Sequence, residues 1–183
     1  MSQKKAQLIE TARLLFAKHG FHAVGIDTII KESGVAKKTL YNHFKSKEDL
    51  ILAVLVYYDL AFRNFFVEQV EKQSGTPKEK LLSIFDVAEA WFNMDDFYGC
   101  FFVGASSEFP DMDTPIRDVC KNFKRLMGKY IEQLAVEAKI VNAEGVAAHL
   151  VLLLEGAITM AQINGNSFSA KQAKEAAKII VGA

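Results

Sequence analysis

Apolar residues recur along most of this chain at intervals of three and four, the spacing that lines one face of an α-helix. Ala6, Ile9, Ala12, Leu15 and Phe16 share such a face, with Lys and Glu between them. They predict an amphipathic helix over residues 3–19, stopped by Gly20. A short helix follows at 26–33, ended by Gly34, and another runs from Lys37 to Phe44. Further starts are marked by caps. Ser46, with Lys47, Glu48 and Asp49 behind it, opens a long helix to Lys72. Thr76-Pro77-Lys78-Glu79 is a capping box with proline at its first helical position, opening a helix to Asn93. A short helix is predicted over 99–108, and Thr114-Pro115 opens one to Lys139. A very apolar helix covers 143–163, and a second capping box, Ser169-Ala170-Lys171-Gln172, starts the last. About nine helices with short loops and no strand make this an all-α chain. The bend at 44–46 divides it into a headpiece, 1–46, and a larger body, 47–183.

Composition agrees with that reading. Half of the 183 residues are hydrophobic and only three are proline, which suits a folded helical protein. The overall charge is zero, but it is unevenly spread. Residues 1–50 carry nine Lys or Arg against five Asp or Glu; the remainder carries 13 against 17. A headpiece of net +4 on a body of net −4 suggests that one end meets a polyanion. Cys100 and Cys120 have neither metal-ligand nor disulfide-framework spacing, so a reducing cytoplasm is expected, with no metal and no cofactor. The N-terminus lacks the apolar stretch of a signal peptide. Val146–Leu154, interrupted by His149, falls short of the ~20 residues that span a bilayer, so no membrane partner is expected. Glycine-rich phosphate loops, HExxH and G-x-S-x-G elbows are absent, which argues against an enzyme.

Two short helices joined by a tight glycine turn describe a helix-turn-helix. Gly34 suits a left-handed turn, and Val35 beside it is expected to bury. Leu40 and Phe44, four apart, should point inward. The other face then carries Lys37, Lys38, Thr39, Tyr41 and Asn42, with His43 at its edge. Lys can donate to guanine or phosphate, Asn can pair with adenine, and the Thr methyl can meet thymine. Tyr41, His43 and Lys47 suit phosphate contacts. The plain alternative is a solvated face that binds nothing.

The stretch GFHAVGIDTIIKESGVAKKTLYNHFKSKEDLI resembles the DNA-binding signature of the tetracycline-repressor (TetR) family of bacterial transcriptional regulators. Its most specific part is GVAKKTLYNHFKSKEDL, and the likeness is close over residues 6–54. The resemblance implies a ligand-responsive repressor of double-stranded operator DNA. Lys37–His43 would be the recognition helix, with Lys37, Lys38, Thr39 and Asn42 near bases and Tyr41, His43 and Lys47 on the backbone. Val24 and Gly25 stand where the family often has Thr or Ser, leaving the Gly25 backbone amide or Thr28 as a substitute phosphate contact. Ala36 stands where a capping Ser is common, which should cost about 1 kcal/mol.

One short helix reads few bases, and a two-fold dimer reads two half-sites. The resemblance implies a homodimer through the last two helices. Val146, Leu150, Leu153, Ala157 and Met160 in one, and Ala173, Ala177 and Ile180 in the other, are the candidates. The alternative is that they are buried within their own chain. Nine of the fourteen Phe lie between residues 57 and 109. Phe62, Phe65, Phe66, Trp91, Phe92, Phe101 and Phe102 are candidates to line a pocket for an apolar or aromatic effector, or else to form an ordinary core. Glu89, Glu108 and His149 are candidate polar anchors there. Cys100 offers a different trigger, a thiol sensing oxidants or electrophiles. No Lys or Arg lies between 81 and 116, however, which favours a quiet cysteine. A helical protein-interaction module is the remaining reading from another class.

Overall fold

Helix ends in this protein are fixed by a small number of identifiable bonds. The computed structural model describes residues 2–73 and 75–182. Its helices are α1 (Gln3–His19), α2 (Ile26–Ser33), α3 (Lys37–His43), α4 (Lys47–Glu71), α5 (Pro77–Phe92), α6 (Phe101–Glu108), α7 (Pro115–Glu137), α8 (Ala143–Asn164) and α9 (Phe168–Val181). Among the described residues there is no strand. Ser46 Oγ accepts from the Asp49 amide at 3.0 Å and starts α4. The Thr76–Glu79 box closes in both directions and starts α5. Gly34, at φ 64°, ends α2 with its amide on the Ile30 carbonyl.

The start of α9 departs from the sequence expectation. Ser169 does not cap the helix, which already begins at Phe168. Instead Ser169 is buried, and its hydroxyl donates to the Ala157 carbonyl of α8 at 2.7 Å. A buried hydroxyl must find an acceptor, and tertiary packing supplied one before the cap could.

The chain forms two compact units. One comprises residues 2–62 and 101–123; the other comprises the described residues of 63–100 and 124–182. The first is larger than the headpiece expected from sequence, since it takes in α6 and the start of α7. Its core is built from Leu8, Ile9 and Phe16 of α1, Ile29 of α2, Leu40 of α3 and Leu50 of α4. Phe102 stacks on Phe123 with ring centroids 3.8 Å apart.

In the second unit α5, α8 and α9 pack together. Ala157 and Ala161 of α8, with Ala170, Ala173 and Ala177 of α9, are buried. Small side chains permit close approach of the two backbones within one protomer. Both α4 and α8 are long and apolar enough to cross a membrane by length and composition, which corrects the expectation drawn from Val146–Leu154 alone. Glu155 is the only charged residue α8 carries after its first turn, so the apolar character extends over the whole helix. Part of that apolar surface is buried against α5 and α9.

Replacing Ser169 with Ala should destabilise the protein by about 1 kcal/mol, the net worth of one buried hydrogen bond. Urea unfolding followed by circular dichroism measures this. An unchanged midpoint would show that the α8–α9 bond contributes nothing.

Candidate nucleic-acid interface

The geometry of α2 and α3 follows from which of their residues are apolar. Ile29, Val35, Leu40 and Phe44 are buried, locking the two short helices onto α1. That burial leaves the opposite side of α3 in solvent. Lys37, Lys38, Asn42 and His43 are exposed, Tyr41 is 47% exposed, and Thr39 is half-buried. Thr28 is exposed on α2. Ala36 stands at the N-cap of α3 without a side-chain bond, as its methyl group requires.

Three of these polar groups already have partners. Lys37 Nζ sits 2.9 Å from Asp27 Oδ1, and that hydrogen bond, with the carboxylate charge, holds the ammonium above the ordinary lysine range. Both members are exposed, so water and salt screen the pair and exchange for a phosphate is cheap. His43 Nε2 lies 3.4 Å from Ser2 Oγ. Lys47, expected at the DNA backbone, is half-buried, and its Nζ donates to the His22 carbonyl at 3.1 Å.

The turn between α1 and α2 is held from its other side by Glu108, at the end of α6. Its carboxylate accepts from the Phe21 amide at 2.8 Å, the His22 amide at 2.6 Å and His22 Nδ1 at 2.8 Å. Gly20, at φ 86°, lets the chain come this close, because a Cβ there would meet Glu108 Oε1. Burial pushes the Glu108 carboxyl up, but the two amides and the His22 ring outweigh it and hold it below the usual range. Glu108, one of the candidate polar anchors, thus has structural partners in Phe21 and His22. His149 is exposed, and Glu89 lies 3.2 Å from Lys171.

The candidate pocket aromatics divide between the two units. Phe62, Phe101 and Phe102 pack with Tyr58 in the first, where Phe101 also meets Phe21 at 4.9 Å. Trp91 and Phe92 cluster with Phe97 in the second, where Phe66 is buried and Phe65 half-buried. A groove of about 510 Å³ lies between α7 and α8, lined by Arg125, Lys129, Ala147 and Val151 among others, and by none of these aromatic residues.

Of the candidate interface residues, Leu150, Ala157, Ala173 and Ala177 are buried within the second unit itself. Val146, Leu153 and Ile180 are half-buried, and Met160 is exposed. Cys100 is not isolated from positive charge, contrary to the expectation from its sequence neighbours. Lys124 Nζ lies 3.3 Å from its sulfur.

Two family models match the chain. Residues 8–54 match the family model of bacterial regulatory proteins, tetR family, and residues 77–177 match that of the tetracyclin repressor-like C-terminal domain. The uncharacterized HTH-type transcriptional regulator YerO of Bacillus subtilis is 40% identical over 82 residues, 45% of this chain and 28% of that protein. YxaF of the same organism, also an uncharacterized HTH-type transcriptional regulator, is 30% identical over 122 residues, 66% of this chain and 64% of that protein. The aligned stretches therefore span less than two thirds of either relative. Among solved structures, SCO4454, a TetR-family transcriptional regulator from Streptomyces coelicolor, superposes with a TM-score of 0.91 at 25% identity, covering 99% of this chain and 95% of that one. Reduced NemR of E. coli shares the fold, with a TM-score of 0.89 at 21% identity, covering 98% and 97%.

The lowered Glu108 value has a signed consequence. Stability from this carboxylate is present above the unfolded-state pKa, about 4.3, and is lost as pH falls through the lower folded-state value. Glu108→Gln should therefore cost about 1 kcal/mol at neutral pH in urea unfolding. The gap to the parent protein should close on acidification below about pH 4. A gap that is absent at neutral pH, or constant with pH, would contradict the clasp.

Proposed function

Because this chain belongs to the TetR family of bacterial regulatory proteins, we propose that it is a repressor that binds a palindromic operator as a homodimer and leaves it when a small apolar or aromatic effector binds. The observation that carries this reading is the outward face of α3, where Lys37, Lys38, Tyr41 and Asn42 stand in solvent over a fully buried Leu40. Lys37, Lys38, Thr39 and Asn42 would reach base edges in the major groove. Tyr41, His43 and Thr28 would meet phosphates. Lys47 would join them only on exchanging the His22 carbonyl for a phosphate oxygen.

Exposure redraws the dimer face within the same two helices. On α8, Leu152 (70% exposed), Met160 and Ile163 (71%) line one side, with Gly156 and Thr159 also in solvent. On α9, Phe168 and Ile179 (83%) are exposed eleven residues apart, which returns to the same helix face. Unpaired apolar surface of this kind marks an association site, and a second copy would pair α8 and α9 into four helices.

An effector would meet aromatic surface in either unit, Phe62, Phe101 and Phe102 in one or Phe65, Phe66, Trp91 and Phe92 in the other. Its leverage depends on binding the DNA-free state more tightly than the DNA-bound one. A second reading, in which the trigger acts through Cys100, is favoured by the Lys124 contact.

Tyr41→Ala should weaken binding to the duplex flanking the protein's own gene about tenfold or more, roughly 1.4 kcal/mol, with unchanged helicity. Fluorescence anisotropy at several salt concentrations reads this, and the parent should show steep salt dependence. Parent-like binding by the variant would sink the docking. Leu152→Glu should halve the sedimenting mass while keeping the protomer folded, because an unpaired charge opposes burial of that face. A variant that sediments like a dimeric parent would place the interface elsewhere.

A further inference from the structure

The first residue of α3 is not free to act as a simple cation. Lys37 Nζ lies 2.9 Å from Oδ1 of Asp27, which stands in the first turn of α2. The two side chains are 59% and 84% exposed, so the pair forms in solvent, beside the outward residues of α3. No acidic residue lies within α3 itself, and the carboxylate that meets its first side chain comes from α2. Lys38, one position on, is exposed and, among the described residues, has no ion pair. Two adjacent lysines therefore differ, one neutralised within the protein and one not. Breaking the pair in water costs little. On a duplex it costs more, because the freed carboxylate would face phosphates at contact range, where salt screens poorly.

We propose that Asp27 is a specificity-determining residue of the interface, which keeps Lys37 from sequence-blind phosphate contact and reserves it for base acceptors. The pair as a unit has no net charge, so carrying it to DNA releases few counterions and adds little non-specific affinity. An ammonium has three N–H donors, and Asp27 takes one of them. The other two can reach the acceptors of a base edge, guanine O6 and N7 above all, without leaving the carboxylate. A sequence that offers no acceptor there gains nothing from Lys37, and the carboxylate remains an unfavourable neighbour to its phosphates. Asp27 thus acts through Lys37, as a positioning residue, whereas Lys38 brings the full attraction of an unpaired cation. This role rests on the operator reading above and adds to it a source of discrimination.

Fluorescence anisotropy of the full-length protein, over a salt series, compares the duplex flanking its own gene with a shuffled duplex of equal length and composition. Asp27→Asn should bind the shuffled duplex about threefold or more tighter. Its log–log salt slope there should steepen by about one, the mark of one added phosphate contact. Preference for the flanking duplex should fall about threefold or more. Asp27→Glu, which keeps the carboxylate, should stay close to the parent on both duplexes. Lys37→Met should leave the parent's slope on shuffled duplex within about half a unit, yet lower that of Asp27→Asn by about one. Equal gains from Asp27→Asn with and without Lys37 would mean simple charge repulsion and overturn the positioning role. An Asp27→Asn variant with parental preference and slope would overturn it as well. A parent that binds both duplexes alike would sink the operator reading, while the slopes on shuffled duplex would still decide the pair.

Discussion

Everything functional about the first unit depends on the burial of one leucine and its neighbours. Leu40 is fully inaccessible to solvent, and Val35, Ile29 and Phe44 close around it against α1. A seven-residue helix cannot hold its shape alone, because nucleating a helix costs more than so few bonds return. Packing supplies what propensity does not, and it fixes the rotation of α3 at the same time. Once Leu40 points inward, Lys38 and Asn42, two positions away on either side, must point out. The polar face of α3 is therefore a consequence of the apolar one, and a slip by one residue would bury Thr39 or Tyr41 in place of leucine.

The turn before α2 is secured by polar groups where α3 is secured by apolar ones. Glu108 accepts two amides and a ring nitrogen there, and Lys47 donates to the His22 carbonyl. A carboxylate satisfied by several donors loses much when any of them moves. The α1–α2 turn is thus tied to the end of α6 at one side and to the start of α4 at the other. That arrangement explains why the compact unit takes in residues 101–123, beyond the headpiece that helical periodicity outlines.

Local rules carried much of this structure into the sequence. The Thr76–Glu79 box, Ser46 and Gly34 each act within four residues, so their effect can be read from neighbours alone. Family likeness in the headpiece added the roles proposed for the α3 side chains. Features that depend on distant partners were hidden. Glu108 finds Phe21 and His22 across 87 and 86 positions, and Lys124 finds Cys100 across 24. Ser169 looked like a cap because its local signal was sound, yet a carbonyl twelve residues earlier claimed its hydroxyl. On α8 and α9, apolar periodicity identified helices with two apolar sides without saying which side faces its own protomer. Leu150, Ala157, Ala173 and Ala177 turned inward, leaving Leu152 and Ile163 in solvent.

Dimethyl sulfate protection measures the central claim directly, since the reagent methylates guanine N7 in the major groove and adenine N3 in the minor. With duplex bound by the purified protein, the account predicts protected guanines in two half-sites about one helical turn or a multiple of it apart. Asn42→Ala and Lys37→Ala should alter protection inside those half-sites while the flanks stay unchanged. Protection confined to minor-groove adenines, or a footprint indifferent to both substitutions, would mean that α3 is not the element that reads the DNA.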